Sequence, residues 1–314
     1  MRPSGSVPPS RYRPRRPVDG GVDGGSDARE ERAVLELPEA EVLRRDLERE
    51  VVGKRAKDVV VETPGVLKPW HRTRKDFAAL LEGRRIASVR RRGNVMLLEL
   101  DEGMTWLVDP GAQGSLHLET ATTSPGPDTH VAVSFATGGA LHISEAGRDS
   151  TLRCGVVPSE DADDASGVSR DALDLLADTP TWIEFGRYLI AGDDELKTLL
   201  CDPKRFLGLG PVYSDEILWE AGLRHDRQSS TLTPQEIRRF YRAAHEVLVA
   251  AMKAAGSSLE DAEPDSFTDE DGSAAGHLNV FGREGLSCPR CRTPIVRTRL
   301  KRSMVTFHCT RCMG

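Results

Sequence analysis

The sequence predicts an α+β chain: an N-terminal β-sandwich with a flanking helix, then a helical domain, then a C-terminal zinc-ribbon hairpin. Three observations carry that expectation. One amphipathic helix followed by short apolar runs with Gly-bearing turns fills roughly residues 35–150. Beyond residue 172 the apolar spacing turns helical. Two Cys-x-x-Cys pairs close the chain.

Residues 1–33 are dominated by Pro, Gly, Ser and Arg without apolar periodicity, and read as a disordered extension or a segment upstream of the true start. Order is expected from Leu35. Pro38 suits a first helical turn, Glu39 and Glu41 suit its positive end, Leu43, Leu47 and Val51 follow at four-residue steps, and Gly53 ends it. Val95–Leu100, a turn at 101–103 and Thr105–Val108 read as one hairpin, and Val131–Phe135 with Ala140–Ile143 as another.

Residues 158–170 read as a linker. Helices are expected at Ala172–Ala177, Trp182–Ile190, Glu195–Cys201, Ser214–Ala221 and Pro234–Ala255. The last opens on a capping box, Thr233-Pro-Gln-Glu236, and carries one stripe of Ile237, Tyr241, Ala244, Leu248 and Ala251, with Gly256 as its stop. Residues 257–276 hold seven acidic side chains and no basic one, a loop by composition. The resulting division is 1–33, 34–157, 158–276 and 277–314.

Cys288-Pro-Arg-Cys291 and Cys309-Thr-Arg-Cys312 are two knuckles at hairpin spacing, a thiolate set for one tetrahedral Zn²⁺. Four protein ligands leave no open position, so the zinc is structural rather than catalytic. Cys154 and Cys201 stand alone and read as small buried hydrophobes.

No apolar run approaches the ~18 residues of a membrane helix, and the first thirty residues lack a secretory signal, so a cytoplasmic chain is expected. A net charge of −6, from 43 basic and 49 acidic side chains, argues against a nucleic-acid partner when taken whole. Resolved by segment it does not. Residues 283–311 carry eight Arg and Lys against Glu284 alone, and Arg84, Arg85, Arg90, Arg91 and Arg92 form a second basic run, expected to lie before the first strand. Between Lys204 and Glu216, Gly208 and Gly210 precede a helix whose free N–H groups could face a phosphate.

These residues resemble the formamidopyrimidine-DNA glycosylase / endonuclease VIII family over nearly all of 35–312. Glu36-Leu-Pro-Glu-Ala-Glu41 looks like the family's opening motif. Leu196-Lys-Thr-Leu-Leu200 through Gly208-Leu-Gly210 and Tyr213-Ser-Asp-Glu216 looks like its helix–two-turn–helix, and Val280-Phe-Gly-Arg-Glu-Gly285 with the cysteine pairs looks like its zinc finger. The resemblance implies a monomer that holds double-stranded, damaged or abasic DNA in a cleft, flips out a nucleotide and cuts by Schiff-base chemistry from an N-terminal proline. In a bacterium it implies association with the nucleoid.

Carried over position by position, the family glutamate is Glu36, the proline is Leu35 and the hairpin lysine is Asn94. Leu35 could serve only as the mature N-terminal amine, since an internal amide nitrogen is delocalised. The methionine wedge is replaced in Gly111-Ala-Gln-Gly114, Arg148 survives from an arginine pair, and Pro211 stands for an asparagine. The zinc-hairpin arginine falls on Met304, with Arg302 close by. Arg91, Arg92, Asn94, Arg148, Lys204, Gly208, Gly210, Arg297, Arg299 and Arg302 are the expected DNA-binding set. Two readings follow: a repair glycosylase and abasic-site lyase, or a catalytically inactive relative that binds DNA. A zinc-ribbon protein-interaction module is the third class, and it does not explain the order of the motifs.

Overall fold

The computed structural model describes residues 35–111, 114–120, 122–145, 150–260, 278–301 and 304–314, with 255–260 as backbone only. Helix α1 (Leu37–Val51) starts with Pro38 in its first turn and buries Leu37, Ala40, Leu47 and Val51. Eight strands then form two four-stranded antiparallel sheets: β1 (Ala56–Val61), β6 (Thr129–Phe135), β7 (Ala140–Glu145) and β5 (Gly114–Glu119) in that order, and β2 (Ile86–Arg92), β3 (Val95–Leu100), β4 (Met104–Asp109) and β8 (Arg153–Pro158). Their inner faces meet over Val61, Val89, Met96, Leu98, Trp106, Val131, Val133, Leu141 and Ile143, with Phe77 and Leu81 of α2 (Arg74–Leu81) at the edge. This is the expected sandwich.

Helix α3 (Ala162–Ala165) packs through Ala162 on Leu97, Leu107 and Val157 of the sandwich, and the helical half follows as α4 (Trp182–Ile190), α5 (Leu196–Leu200), α6 (Pro211–Ala221) and α7 (Pro234–Glu260). Its core of Phe185, Leu189, Leu199, Phe206, Ile217, Phe240 and Leu248 extends without a break into Val280, Ile295 and Phe307. The terminal hairpin of β9 (Val296–Arg299) and β10 (Val305–His308) is therefore packed on the helices rather than tethered to them.

Three expectations are corrected. The basic run 84–92 does not precede the first strand: it is largely β2, and β1 comes before it. Residues 172–177 form turns, not a helix, because the Asp174 carboxylate accepts from the Leu176 and Ala177 N–H groups and Leu173 bridges to Phe206. Gly256 does not end α7, whose backbone runs on to Glu260. The capping box is present: Thr233 Oγ1 accepts from Glu236 N at 3.3 Å and the Glu236 carboxylate accepts from Thr233 N at 2.8 Å.

Candidate DNA-binding site and metal centre

The two halves meet where α1 enters. Leu37 N donates to Gly208 O at 2.7 Å, and Gly208 sits at φ +66°, where a Cβ would lie 2.6 Å from Asn94 Oδ1. Asn94 follows Gly93 in the β2–β3 turn, and its Nδ2 donates to Leu35 O at 2.6 Å. Its Oδ1 is buried with no hydrogen-bond partner. Asn94 thus fixes the backbone of residue 35 at the boundary.

Glu36 is 1% exposed and reaches the start of α6. Its carboxylate accepts from Gly210 N at 2.8 Å, Val212 N at 2.9 Å and Tyr213 N at 3.2 Å. Pro211, at the first helical position, has no N–H to offer, and none is missed there. The glycine turn was expected to face a phosphate; the anion that fills this helix N-terminus is the chain's own Glu36. Burial pushes the Glu36 carboxyl up to about 7 in spite of the three backbone donors that favour its charge. One turn on, Glu39 accepts from Tyr213 Oη through one oxygen while the other is buried without a partner, and burial raises this carboxyl too.

Arg91 is also corrected. Its side chain is 2% exposed and pairs with Glu41 at 2.8 Å and Asp174 at 2.5 Å, with Gly93 N on the same Asp174 oxygen at 3.3 Å. A guanidinium so enclosed locks β2 to α1 and the helical half, and offers no face to a phosphate. Arg92 is half-buried and donates to the carbonyls of Ser169 and Arg170 at 3.1 and 3.0 Å. Lys204 and Arg299 are exposed, Arg297 is half-buried with its Nε unpartnered, and Arg148 and Arg302 lie outside the described residues.

Sequence reasoning passed over the charges inside α5 and α6. Lys197 is fully buried and donates to Pro211 O at 2.7 Å, Ser214 Oγ at 2.8 Å and Asp215 Oδ1 at 2.7 Å. Asp215 in turn accepts from Thr306 Oγ1 at 2.6 Å and Phe307 N at 2.7 Å on the terminal hairpin. Glu216 accepts from the N–H groups of Asn279, Val280 and Phe281 at 2.8–2.9 Å. Helix α6 is therefore the hub that joins α1 at one end and the hairpin along its side. A lysine inside the apolar run Leu196–Leu200 was the available signal.

The four hairpin cysteines converge, all ligand atoms within 4.8 Å of one another. Cys291 and Cys309 sulfurs are 3.4 Å apart and Cys288 and Cys312 sulfurs 3.8 Å, far longer than a disulfide. Tetrahedral bonds of ~2.3 Å to one ion place sulfurs about 3.8 Å apart, so the set fits a metal ion. Hydrogen bonds from Thr293 pull the Cys291 thiol down to about 6, whereas burial and the neighbouring thiols push Cys312 up to about 12. Arg290, between the first pair, stacks on Trp219 at 3.8 Å and donates to Trp219 O at 2.7 Å, so this basic knuckle residue anchors the hairpin to the end of α6. Cys154 is buried beneath Trp106 Nε1 at 3.0 Å, and Cys201 is half-buried.

This architecture matches known proteins along most of the chain. The formamidopyrimidine-DNA glycosylase N-terminal domain matches residues 34–149, and the H2TH domain of the same glycosylase matches 172–263. The formamidopyrimidine-DNA glycosylase of Thermus thermophilus is 34% identical over 282 residues, which cover 89% of this chain and 98% of that one. The chain belongs to the formamidopyrimidine-DNA glycosylase family. Within the family, the Desulfitobacterium hafniense enzyme is 28% identical over 272 residues, 87% of this chain and 97% of that one. The crystal structure of the Thermus thermophilus MutM (Fpg) protein superposes with a TM-score of 0.72 at 33% identity, covering 89% of this chain and 98% of the other. Lactococcus lactis Fpg, solved with DNA containing an abasic site, superposes at 0.76 and 22% identity over 89% and 99% of the two chains, a likeness of fold.

Proposed function

We propose that this chain binds double-stranded DNA at damaged or abasic sites and acts in base excision repair as a protein of the glycosylase / AP-lyase type. The observation that carries the reading is the boundary between the two halves. Glu36 of α1 caps α6 while the β2–β3 turn packs on Leu207 and Gly208, in a chain whose halves both match the family. We assign residues 34–157 to the glycosylase-like domain, 158–276 to the DNA-binding helices and 277–314 to the zinc finger, with one structural Zn²⁺ on Cys288, Cys291, Cys309 and Cys312. That ion would hold the hairpin closed and carry out no chemistry. Exposed Lys204 and Arg299, with Arg297, are the groups we assign to phosphates.

A base inside a duplex cannot be reached by a nucleophile, so the target nucleotide has to leave the stack. Glu36 then lies beside residue 35 with a carboxyl near 7, the range in which one group can both hold and release a proton at neutral pH. Covalent chemistry needs an amine at Leu35. In the 314-residue chain Val34 precedes Leu35, so its nitrogen is a peptide amide. The second reading, in which the same surface binds abasic DNA without cutting it, applies where Leu35 keeps that peptide bond; Asn94 holds Leu35 O in either case.

Borohydride trapping on an abasic-site duplex separates the two. A covalent adduct that is lost when the N-terminus is blocked supports the lyase. Saturable binding with no adduct from either the 314-residue chain or a chain beginning at Leu35 supports the binder. The absence of binding at low salt overturns both. We further propose a cytoplasmic, nucleoid-associated monomer; no helix among the described residues is long and apolar enough to cross a membrane.

A further inference from the structure

Strands β5 and β7 bring together a cluster unrelated to the DNA boundary. His117 and His142 are directly opposed across the antiparallel pair, and Glu119 follows His117 by two residues. Strand alternation puts residues two apart on the same face, and directly opposed residues have Cβ atoms about 4.5–5.5 Å apart. All three side chains therefore project from one face of the sheet, opposite to Leu116, Leu141 and Ile143, which enter the sandwich core. Their neighbours on that face are small: Ala140 opposes Glu119 and Ala132 opposes His142.

We propose that His117, Glu119 and His142 form a binding site for a divalent transition-metal ion of the zinc type, separate from the four-cysteine centre. Two imidazoles and one carboxylate are a recurrent three-ligand set for such ions, and leave a fourth position for water. Cross-strand placement lets all three converge by side-chain rotation alone, with the backbone held by the sheet. His142 is 6% exposed and His117 half-buried. Ser115 Oγ lies 2.9 Å from His117 Nε2 on the same face, a hydrogen bond that the ring exchanges when it turns toward an ion. In the cation-free arrangement the three donors are not gathered within 4.8 Å, a distance met among the described residues by the cysteines alone, so closure over an ion has to rotate side chains. The site is thus an exchangeable one rather than a permanent structural one.

The test uses full-length protein without a histidine tag, loaded with one Zn²⁺ at the cysteines and titrated with further Zn²⁺. Calorimetry should show one additional saturable ion per chain in the micromolar range. Imidazole ¹⁵N shifts should move at two histidines, identified by their loss in H117N and H142N. Each of those variants should weaken the added ion by at least ~10-fold, whereas H245A, at an exposed histidine on α7, should change nothing. E119Q should weaken binding while leaving both imidazole signals present. An added ion that survives the H117N/H142N double variant would overturn the proposal, as would a wild-type chain that takes no second ion below millimolar Zn²⁺. The ring-nitrogen shifts are read on the wild-type chain, so the outcome stands even if a variant does not fold.

Discussion

Gly210 offers the sharpest test of the α1–α6 junction. Its φ of −132° is open to any residue, so replacement by alanine brings no backbone strain. The cost comes from space alone: a Cβ would lie 2.6 Å from Glu36 Oε1 and 2.7 Å from its Cδ, which forces the carboxylate off the helix. Three backbone N–H groups of α6 then lose a charged acceptor. Hydrogen bonds to a charged group contribute about 1.5–3 kcal/mol each, but these three act on one carboxylate that recovers hydration when expelled. The loss of backbone freedom in the unfolded chain offsets at most about 1 kcal/mol. G210A should therefore destabilise by about 2–4 kcal/mol in urea unfolding followed by far-UV circular dichroism. In an E36A background the methyl meets no carboxylate, and the same substitution should leave stability unchanged or raise it by at most about 1 kcal/mol. Equal costs in the two backgrounds would refute the assignment of Glu36 as the cap of α6.

Three further outcomes follow from the same geometry. The folded chain keeps a proton on Glu36 between its ordinary 4.5 and about 7 that the unfolded chain has released, so unfolding free energy falls by about 1.4 kcal/mol per pH unit across that window, roughly 3 kcal/mol in all. Subtracting the stability profile of E36Q from that of the wild type should isolate this slope, and a flat difference between pH 4.5 and 7 would contradict a buried, raised carboxyl. K197A leaves Asp215 buried without its cation and should cost about 3–5 kcal/mol by chemical denaturation, while K197A/D215A recovers part of it. Removing zinc with a chelator, or substituting C309S, should release the hairpin and abolish DNA binding; amide exchange should stay slow in the sandwich, whose core contains no hairpin residue.

The sandwich hairpins at 95–108 and 131–143 were legible because each sets short apolar runs on either side of a Gly-bearing turn, and the cysteine spacing announced a metal site. Strand β2 was not legible as a strand, since Arg90, Arg91 and Arg92 mask its period with charge; the partners of Arg90 and Arg91, namely Glu99, Asp163, Glu41 and Asp174, lie on other elements. The same property hid the site's organisation. Glu36 stands at the start of its own helix, yet its carboxylate serves another helix 174 or more residues away. Lys197, Asp215 and Glu216 sit in helices whose burial becomes evident only once the hairpin lies against them. Local pattern determined the elements, and long-range charge pairing determined how they join.

The central claim is recognition of damaged DNA, and one measurement addresses it directly. The zinc-loaded chain is titrated onto a duplex carrying a single abasic site and onto the undamaged duplex, from low salt upward. Binding should be tighter to the abasic duplex at every salt concentration, with log affinity falling linearly against log salt as phosphate contacts are lost. Equal affinity for the two duplexes, or no binding at low salt, would contradict it.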